Sequence, residues 1–119
     1  CKLRPCWFEP TFHKHAGQLC QGIQIHVDDP AHYDHAAFKP WRLMALAFKA
    51  IRRLQPDYPL WRDFPYEYEH GRLAIDLING SPLLRAWVDD PGTTPGDLDA
   101  LTCPDEARWQ EERAAHLLY

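Results

Sequence analysis

The chain has 119 residues, 45% of them hydrophobic, and a formal net charge of −4. This composition is enough for the core of one domain and excludes a disordered polar chain. The negative net charge argues against binding to nucleic acid, which needs a basic surface. No apolar run approaches membrane-spanning length.

The first two predicted elements are strands. Residues 7–12 form the first, with Pro10 restricting it to an edge or an end of the sheet. Residues 23–27 form the second, because their aliphatic side chains alternate with Gln24 and His26, which is the period of a strand with one apolar face.

A helix is predicted over residues 40–54, since proline suits the first turn of a helix and Pro56 ends this one. Apolar side chains cover most of its circumference, so we interpret it as the central core helix. The basic side chains Arg42, Lys49 and Arg53 fall on one narrow face, which we interpret as a solvated stripe.

Shorter elements follow. Residues 66–69 are predicted as a short strand, and residues 73–78 fit either a strand or a helical turn. Ser81 is predicted as the N-cap of a short helix with proline at its first position, running through Val88. Thr102, with aspartate three residues later, resembles a capping box and predicts a last helix that nearly reaches the C-terminus.

The order of these elements, strands first and helices later, predicts an α+β fold. We expect a short mixed or antiparallel sheet packed on one long core helix, with two or three further helices. The chain begins at Cys1 and has a single methionine, Met44. We therefore expect residues 1–119 to be a single domain taken from a longer polypeptide.

Side chains that carry chemistry are concentrated in one segment, TFHKHAGQLCQGIQIHV, residues 11–27. Two glycines in its first half allow the backbone to turn or to approach another group closely. A polar cluster that leads into a strand is how a rigid scaffold presents side chains to a ligand. The candidate binding residues are Lys14, His15, Gln18, Gln24 and His26.

Other chemistries remain open for this part of the chain. Several residues of zinc-ligand type occur here: His13, His15, Cys20, His26, His32 and His35. Their spacing matches no regular zinc pattern, so we expect no metal. Cys20 beside a histidine is a candidate nucleophile, although its neighbours suit a small buried residue equally well. Cys6 and Cys20 are a candidate disulfide pair in an exported protein.

Paired carboxylates carry out glycoside hydrolysis, and two pairs are close in sequence: Glu67 with Glu69, and Asp28 with Asp29. We interpret Glu67 and Glu69 as solvated strand residues, because one strand face cannot easily place two carboxylates on opposite sides of a sugar. Asp76 lies within an apolar run. Since a buried charge needs a partner or a helix N-terminus, we interpret it as a structural cap.

Four segments of the chain occur together, in this order, in one family: PTFHKHAGQLCQGIQIHV, FKPWRLMALAFKAIRRLQPD, PYEYEHGRLAIDLINGSPLLR and ERAAHLLY. Together they resemble the C-terminal domain of the NamZ-type exo-β-N-acetylmuramidases, over essentially the whole chain. Each segment alone is modestly specific. Cys6 and Gln21 depart from the family pattern, which has an aliphatic residue and a glycine at these positions.

The resemblance implies part of an enzyme that releases N-acetylmuramic acid from the non-reducing ends of peptidoglycan fragments, in the bacterial cell envelope or secreted. The catalytic carboxylates of that family belong to an N-terminal Rossmann-like domain. We therefore expect no catalytic residue in this chain, no cofactor, and no activity of the fragment alone. The expected partners are that N-terminal domain and fragments that contain muramic acid.

Within this family the chain is expected to be an accessory domain that forms one wall of the substrate cleft. The lactyl carboxylate of muramic acid suits Lys14 or a protonated His15, and sugar hydroxyls suit Gln18, Gln24 and His26. The alternative is a non-catalytic carbohydrate- or partner-binding module.

Overall fold

The computed structural model describes residues 1–27, 31 and 33–118. Two strands and four helices follow one another: β1 (Lys2–Phe8), β2 (Cys20–His26), α1 (Pro40–Leu54), α2 (Ala74–Asn79), α3 (Leu83–Asp89) and α4 (Asp97–Ala114). The chain divides into two compact units, Cys1–Lys39 and Pro40–Tyr119. The α+β class and the antiparallel sheet are confirmed, whereas the packing of the sheet on the long helix stays a prediction.

The first unit contains the hairpin of β1 and β2, whose pairing begins with Lys2 opposite His26. The predicted bounds of the first strand are wrong, because β1 begins five residues earlier and ends at Phe8. Pro10 has no amide hydrogen to donate beyond that point. Pro5 is tolerated inside β1 because each strand of a two-stranded sheet is an edge strand.

The pairing register separates the hairpin side chains onto two faces. The apolar hairpin face carries Leu3, Pro5, Trp7, Ile23 and Ile25, with Gln21 opposite Trp7. The polar hairpin face carries Lys2, Arg4, Gln24 and His26 at one end and Cys6, Phe8 and Cys20 at the other. Exposure of 65% for Trp7 and 66% for Ile23 shows that the apolar face is open to solvent. The predicted alternation of β2 is confirmed, although this strand starts at Cys20.

The second unit has a small core built by three of its helices. The buried apolar residues are Ala45, Leu84, Trp87, Val88 and Leu98. They come from α1, α3 and the start of α4. Phe48 of α1 packs against this core and meets the ring of Trp61 edge to face, with 5.6 Å between ring centroids. The predicted bounds of α1 are confirmed.

The interpretation of the basic stripe on α1 as solvated is wrong for Lys49 and Arg42, whereas Arg53 is exposed. Lys49 is only 4% exposed. Its ammonium group donates to the carbonyls of Trp87 (2.9 Å) and Val88 (3.3 Å), and Arg42 forms an ion pair with Asp99. The last carbonyls of a helix lack intrahelical partners, and a cation at that end satisfies them. The stripe therefore joins α1 to α3 and α4.

The ambiguous segment 73–78 is helical and forms most of α2. This helix ends at Gly80, whose φ of 81° is the left-handed conformation that glycine adopts easily. The interpretation of Asp76 as a cap is wrong. Its carboxylate receives three hydrogen bonds from Arg85, at 2.7, 2.9 and 3.2 Å, and this guanidinium lowers the pKa of Asp76 despite the burial of the group.

The predicted cap of α3 is wrong by one residue. The N-cap is Pro82, which makes no side-chain cap hydrogen bond, although the N–H of Leu83 donates to the Ser81 hydroxyl oxygen at 3.4 Å. The start of α4 does not agree with the prediction. This helix begins at Asp97, and the carboxylate of Asp97 accepts from the backbone N–H and the hydroxyl of Thr94. Thr94 and Asp97 are therefore joined just before and at the start of α4, whose N-cap is Gly96 without a side-chain cap. Thr102 instead donates its hydroxyl proton to the carbonyl of Leu98.

None of the helices in the described part of the chain combines the length and the apolar character that crossing a bilayer requires.

Candidate functional site

The loop that connects the two strands, residues 9–19, carries three of the five predicted binding residues and is held by its own contacts. The N–H of Gly17 donates to the carbonyl of Pro10 at 3.0 Å, which closes the loop. The N–H of Gln18 donates to the carbonyl of His15 at 3.0 Å. Their side chains also meet, with Nδ1 of His15 and Oε1 of Gln18 3.3 Å apart. The structure thus brings His15 and Gln18 together.

Backbone strain marks the same loop. His13 and His15 have φ values of 60° and 61°, and Gly17 has a φ of 72°. Glycine adopts this region at no steric cost, whereas a residue with a Cβ pays roughly 1–2 kcal/mol there. Lys14 is exposed and lies between the two strained histidines. Its position is therefore set by a backbone that departs from ordinary strand geometry on both sides.

The polar hairpin face carries the other two predicted residues, Gln24 and His26. Arg4 lies opposite Gln24, and its guanidinium donates to the side-chain oxygen of that residue. Lys2 lies opposite His26, which is half-buried. The face therefore combines two cationic groups from β1 with an amide and an imidazole from β2.

Sequence reasoning missed Lys2 and Arg4, because it placed the first strand too late. The signal was present, since Leu3 between these two cations has the same alternation as the second strand. A cross-strand pair of Arg4 and Gln24 also fixes the direction of the guanidinium, because the amide oxygen holds one edge of it.

The predicted residues form two groups rather than one cluster. Gln24 lies four residues beyond Cys20, where β2 begins. A rise of about 3.4 Å per residue separates it from the loop end by roughly 14 Å, and His26 by roughly 20 Å. The hairpin therefore presents a loop group and a strand group at different heights along one elongated element.

The competing chemistries find little support. All four cysteines, which lie within the described residues, are free thiols, so the candidate disulfide of Cys6 and Cys20 is not formed. The Cys20 thiol lies 3.5 Å from the carbonyl oxygen of Gln18. No three His, Cys, Asp or Glu side chains among residues 1–27, 31 and 33–118 are grouped to hold a metal ion. His32 lies outside the described residues.

The carboxylate pair that can be described, Glu67 and Glu69, lies in a turn and not on a strand. Residues 66–69 form a tight turn closed by a single bridge between its end residues, not a strand. Glu69 accepts from the N–H of Gly71 at 2.7 Å and from Arg72 at 2.9 Å, and both contacts lower its pKa. Residues 28–29 lie outside the described residues.

Comparison with known proteins gives one match. A sequence model of the family described as exo-beta-N-acetylmuramidase NamZ, C-terminal, matches residues 1–119. No curated protein and no solved structure matches the chain. The family match spans both compact units, and it agrees with the resemblance found in the four sequence segments.

Proposed function

The chain belongs to the family of NamZ C-terminal domains, and we propose that its hairpin forms one wall of the substrate cleft of an exo-β-N-acetylmuramidase. Membership of this family implies an N-terminal catalytic partner domain. In our proposal that domain carries out the hydrolysis, and this chain binds the N-acetylmuramic acid unit at the non-reducing end of a peptidoglycan fragment. The fragment alone is then inactive.

The loop group suits the anionic part of the sugar. N-acetylmuramic acid carries a lactyl carboxylate, and a hydrogen bond between a cation and a carboxylate is about twice as strong as one between neutral groups. Lys14 is exposed and available for such a bond. The contact between His15 and Gln18 orients the imidazole beside it.

The strand group begins roughly 14 Å from the loop end, so it suits the part of the peptidoglycan fragment beyond the muramic acid unit. Gln24 and His26 offer donors and acceptors for sugar hydroxyls. Arg4 adds a planar guanidinium with several parallel donors. The observation that carries the proposal is the register of the hairpin, which places these three side chains on one face of the sheet.

The proposal is tested in the complete enzyme with Lys14→Ala and His15→Ala. Losing a charge-assisted hydrogen bond costs about 1.5–3 kcal/mol, so we expect kcat/KM for muropeptides to fall roughly tenfold or more. The fall should come mainly from KM, because the carboxylate does not change charge in the reaction. Steady-state kinetics measures both constants.

Lys39→Ala is the matched control, since Lys39 is an exposed lysine of the same unit outside the hairpin. A second control uses a substrate whose lactyl group is methyl-esterified. With this neutral substrate the Lys14→Ala variant should lose little relative to the unaltered enzyme. Unchanged kinetics in both variants with the free acid would remove the proposed wall.

A further inference from the structure

A pocket of about 260 Å³ lies within the second unit, where the start of α1, the connection between α2 and α3, and the middle of α4 meet. Its lining combines one indole, apolar side chains and several oxygen atoms. Ligand pockets of proteins are typically about 300–1,000 Å³ with this mixture of groups. At about 260 Å³ this pocket is slightly smaller than that range, so it suits a single sugar unit better than a longer fragment.

The indole of this pocket is fixed in place. Trp41 donates from Nε1 to the side-chain oxygen of Asn79 at 2.9 Å. The amide nitrogen of Asn79 in turn donates to the carbonyl of Ser81 at 3.1 Å and lies 3.3 Å from its hydroxyl oxygen. Trp41 remains 38% exposed. A held, partly exposed indole is a flat apolar surface that loses little entropy when a ligand stacks on it.

The mouth of the pocket is rich in acceptors. Asp105 and Glu106 line it from α4, and ionised carboxylates only accept hydrogen bonds. Thr102 donates its own proton to the Leu98 carbonyl at 3.2 Å, so its oxygen faces a ligand as an acceptor. A ligand that fits must therefore bring donors, as sugar hydroxyl and amide groups do.

The charge of the mouth selects among sugars. Arg108 pairs with Asp105 at 3.0 Å and lies 3.7 Å from Glu112, so one cation is shared by two carboxylates. Glu106 adds a further negative charge. A ligand with its own carboxylate is repelled at this mouth, whereas a neutral or amino sugar is not.

We propose that this α1–α4 pocket binds a hexosamine without a carboxylate, such as N-acetylglucosamine, as an accessory sugar site of the domain. The inference rests on the proposed function for its choice of sugar, because N-acetylglucosamine alternates with muramic acid in peptidoglycan. It adds a site built entirely from the helical unit. The hairpin wall recognises the anionic sugar, and the α1–α4 pocket recognises the neutral one.

The test uses the indole N–H signals of the ¹⁵N-labelled 119-residue chain. The chain has five tryptophans, so the four others serve as internal controls, and Trp41→Phe assigns the reporting signal. Titration with N-acetylglucosamine should shift the Trp41 signal until it saturates. The same shift should require an about fivefold higher concentration of N-acetylmuramic acid, because its carboxylate is repelled by the negative charges of the pocket.

A charge-removing variant separates this proposal from nonspecific binding. Glu106→Gln keeps an acceptor oxygen but removes the charge, so the preference between the two sugars should narrow to less than about twofold. Glu111→Gln is the matched control, because Glu111 lies on the same helix and does not line the pocket. That variant should keep the full preference.

Three outcomes overturn the inference. In the first, the Trp41 signal does not move with N-acetylglucosamine up to the solubility limit of the sugar. In the second, the signal moves with propylamine and with neither sugar, which makes the pocket a cation site. In the third, both sugars bind equally well to the chain with Glu106 unaltered. None of these outcomes affects the kinetics of the Lys14 and His15 variants. Conversely, if the kinetics of those variants were unchanged, the Trp41 titration would still show whether the α1–α4 pocket binds the sugar.

Discussion

At the scale of single residues, the loop histidines combine strain with exposure. His13 and His15 hold positive φ values of 60° and 61°, and both are exposed to solvent. Strained residues persist where the surrounding structure holds them, and they are frequent at ligand-binding sites. Since glycine would fit this backbone at lower cost, the imidazoles at these positions are consistent with a role for the side chains themselves.

The strain gives a prediction for the stability of the loop. His15→Gly should be more stable than His15→Ala by about 1 kcal/mol, because alanine keeps the Cβ that crowds the left-handed backbone. Urea unfolding of the two variants measures the difference. At Lys14, whose φ is not positive, the order should reverse. Equal stability of the two His15 variants would show that the loop relaxes.

The pair of Asp76 and Arg85 predicts a dependence of stability on pH. The hydrogen bonds from Arg85 lower the pKa of Asp76 below its ordinary value of 3.8. The unfolded chain therefore binds more protons in this window, so the stabilisation is complete well above pH 3.8 and is lost as the pH falls through the lowered pKa. At neutral pH, Asp76→Asn should cost about 2 kcal/mol or more.

The free energy of unfolding, measured from pH 7 down to pH 2, should show the gap between Asp76→Asn and the unaltered chain closing in acid. Asp57→Asn, at an exposed position, should stay within about 0.5 kcal/mol of the unaltered chain throughout. A gap that stays constant over the whole range would mean that the pair does not stabilise the fold through its charge.

At the scale of elements, the sequence rules worked where one signal dominated. The bounds of α1 follow from proline at its start and proline after its end. The sequence rules failed at α4, where two similar capping patterns occur. Thr94 and Thr102 each have an aspartate three residues later, and only the first pair is joined by hydrogen bonds at the start of the helix. The first pair lies in a turn-rich segment, which concealed the start of the helix.

The two threonines allow a direct comparison. Thr94→Ala removes the hydroxyl that donates to Asp97 and should cost about 1 kcal/mol, the usual net contribution of one hydrogen bond. Thr102→Ala removes a bond from a hydroxyl to a helix carbonyl, which contributes little to helix stability, and should cost less than about 0.5 kcal/mol. Chemical denaturation of both variants decides. The opposite order would show that the contact of Thr94 with Asp97 does not stabilise the start of α4.

At the scale of the whole molecule, periodicity predicts which side chains share a face, but it does not identify what that face contacts. The stripe of Lys49 on α1 has the pattern of a solvated face, yet Lys49 binds the carbonyls at the end of α3. The sequence of α1 could not predict this contact, because it contains no signal for the backbone carbonyls of another helix. The division into two units is likewise a long-range property. Of the candidate site, the loop and strand residues were predicted, and Arg4 was missed with the start of β1.

The hairpin has one further consequence. Among the described residues, β2 pairs with β1 alone, so its outer edge is a ready template for a strand from another molecule. The apolar hairpin face beside this edge, where Ile23 is two-thirds exposed, would favour pairing with such a strand. Concentrated solutions of the lone chain should accumulate the infrared band of intermolecular β-structure. Ile23→Lys, a gatekeeper charge, should suppress that band while leaving the α1–α4 pocket unchanged.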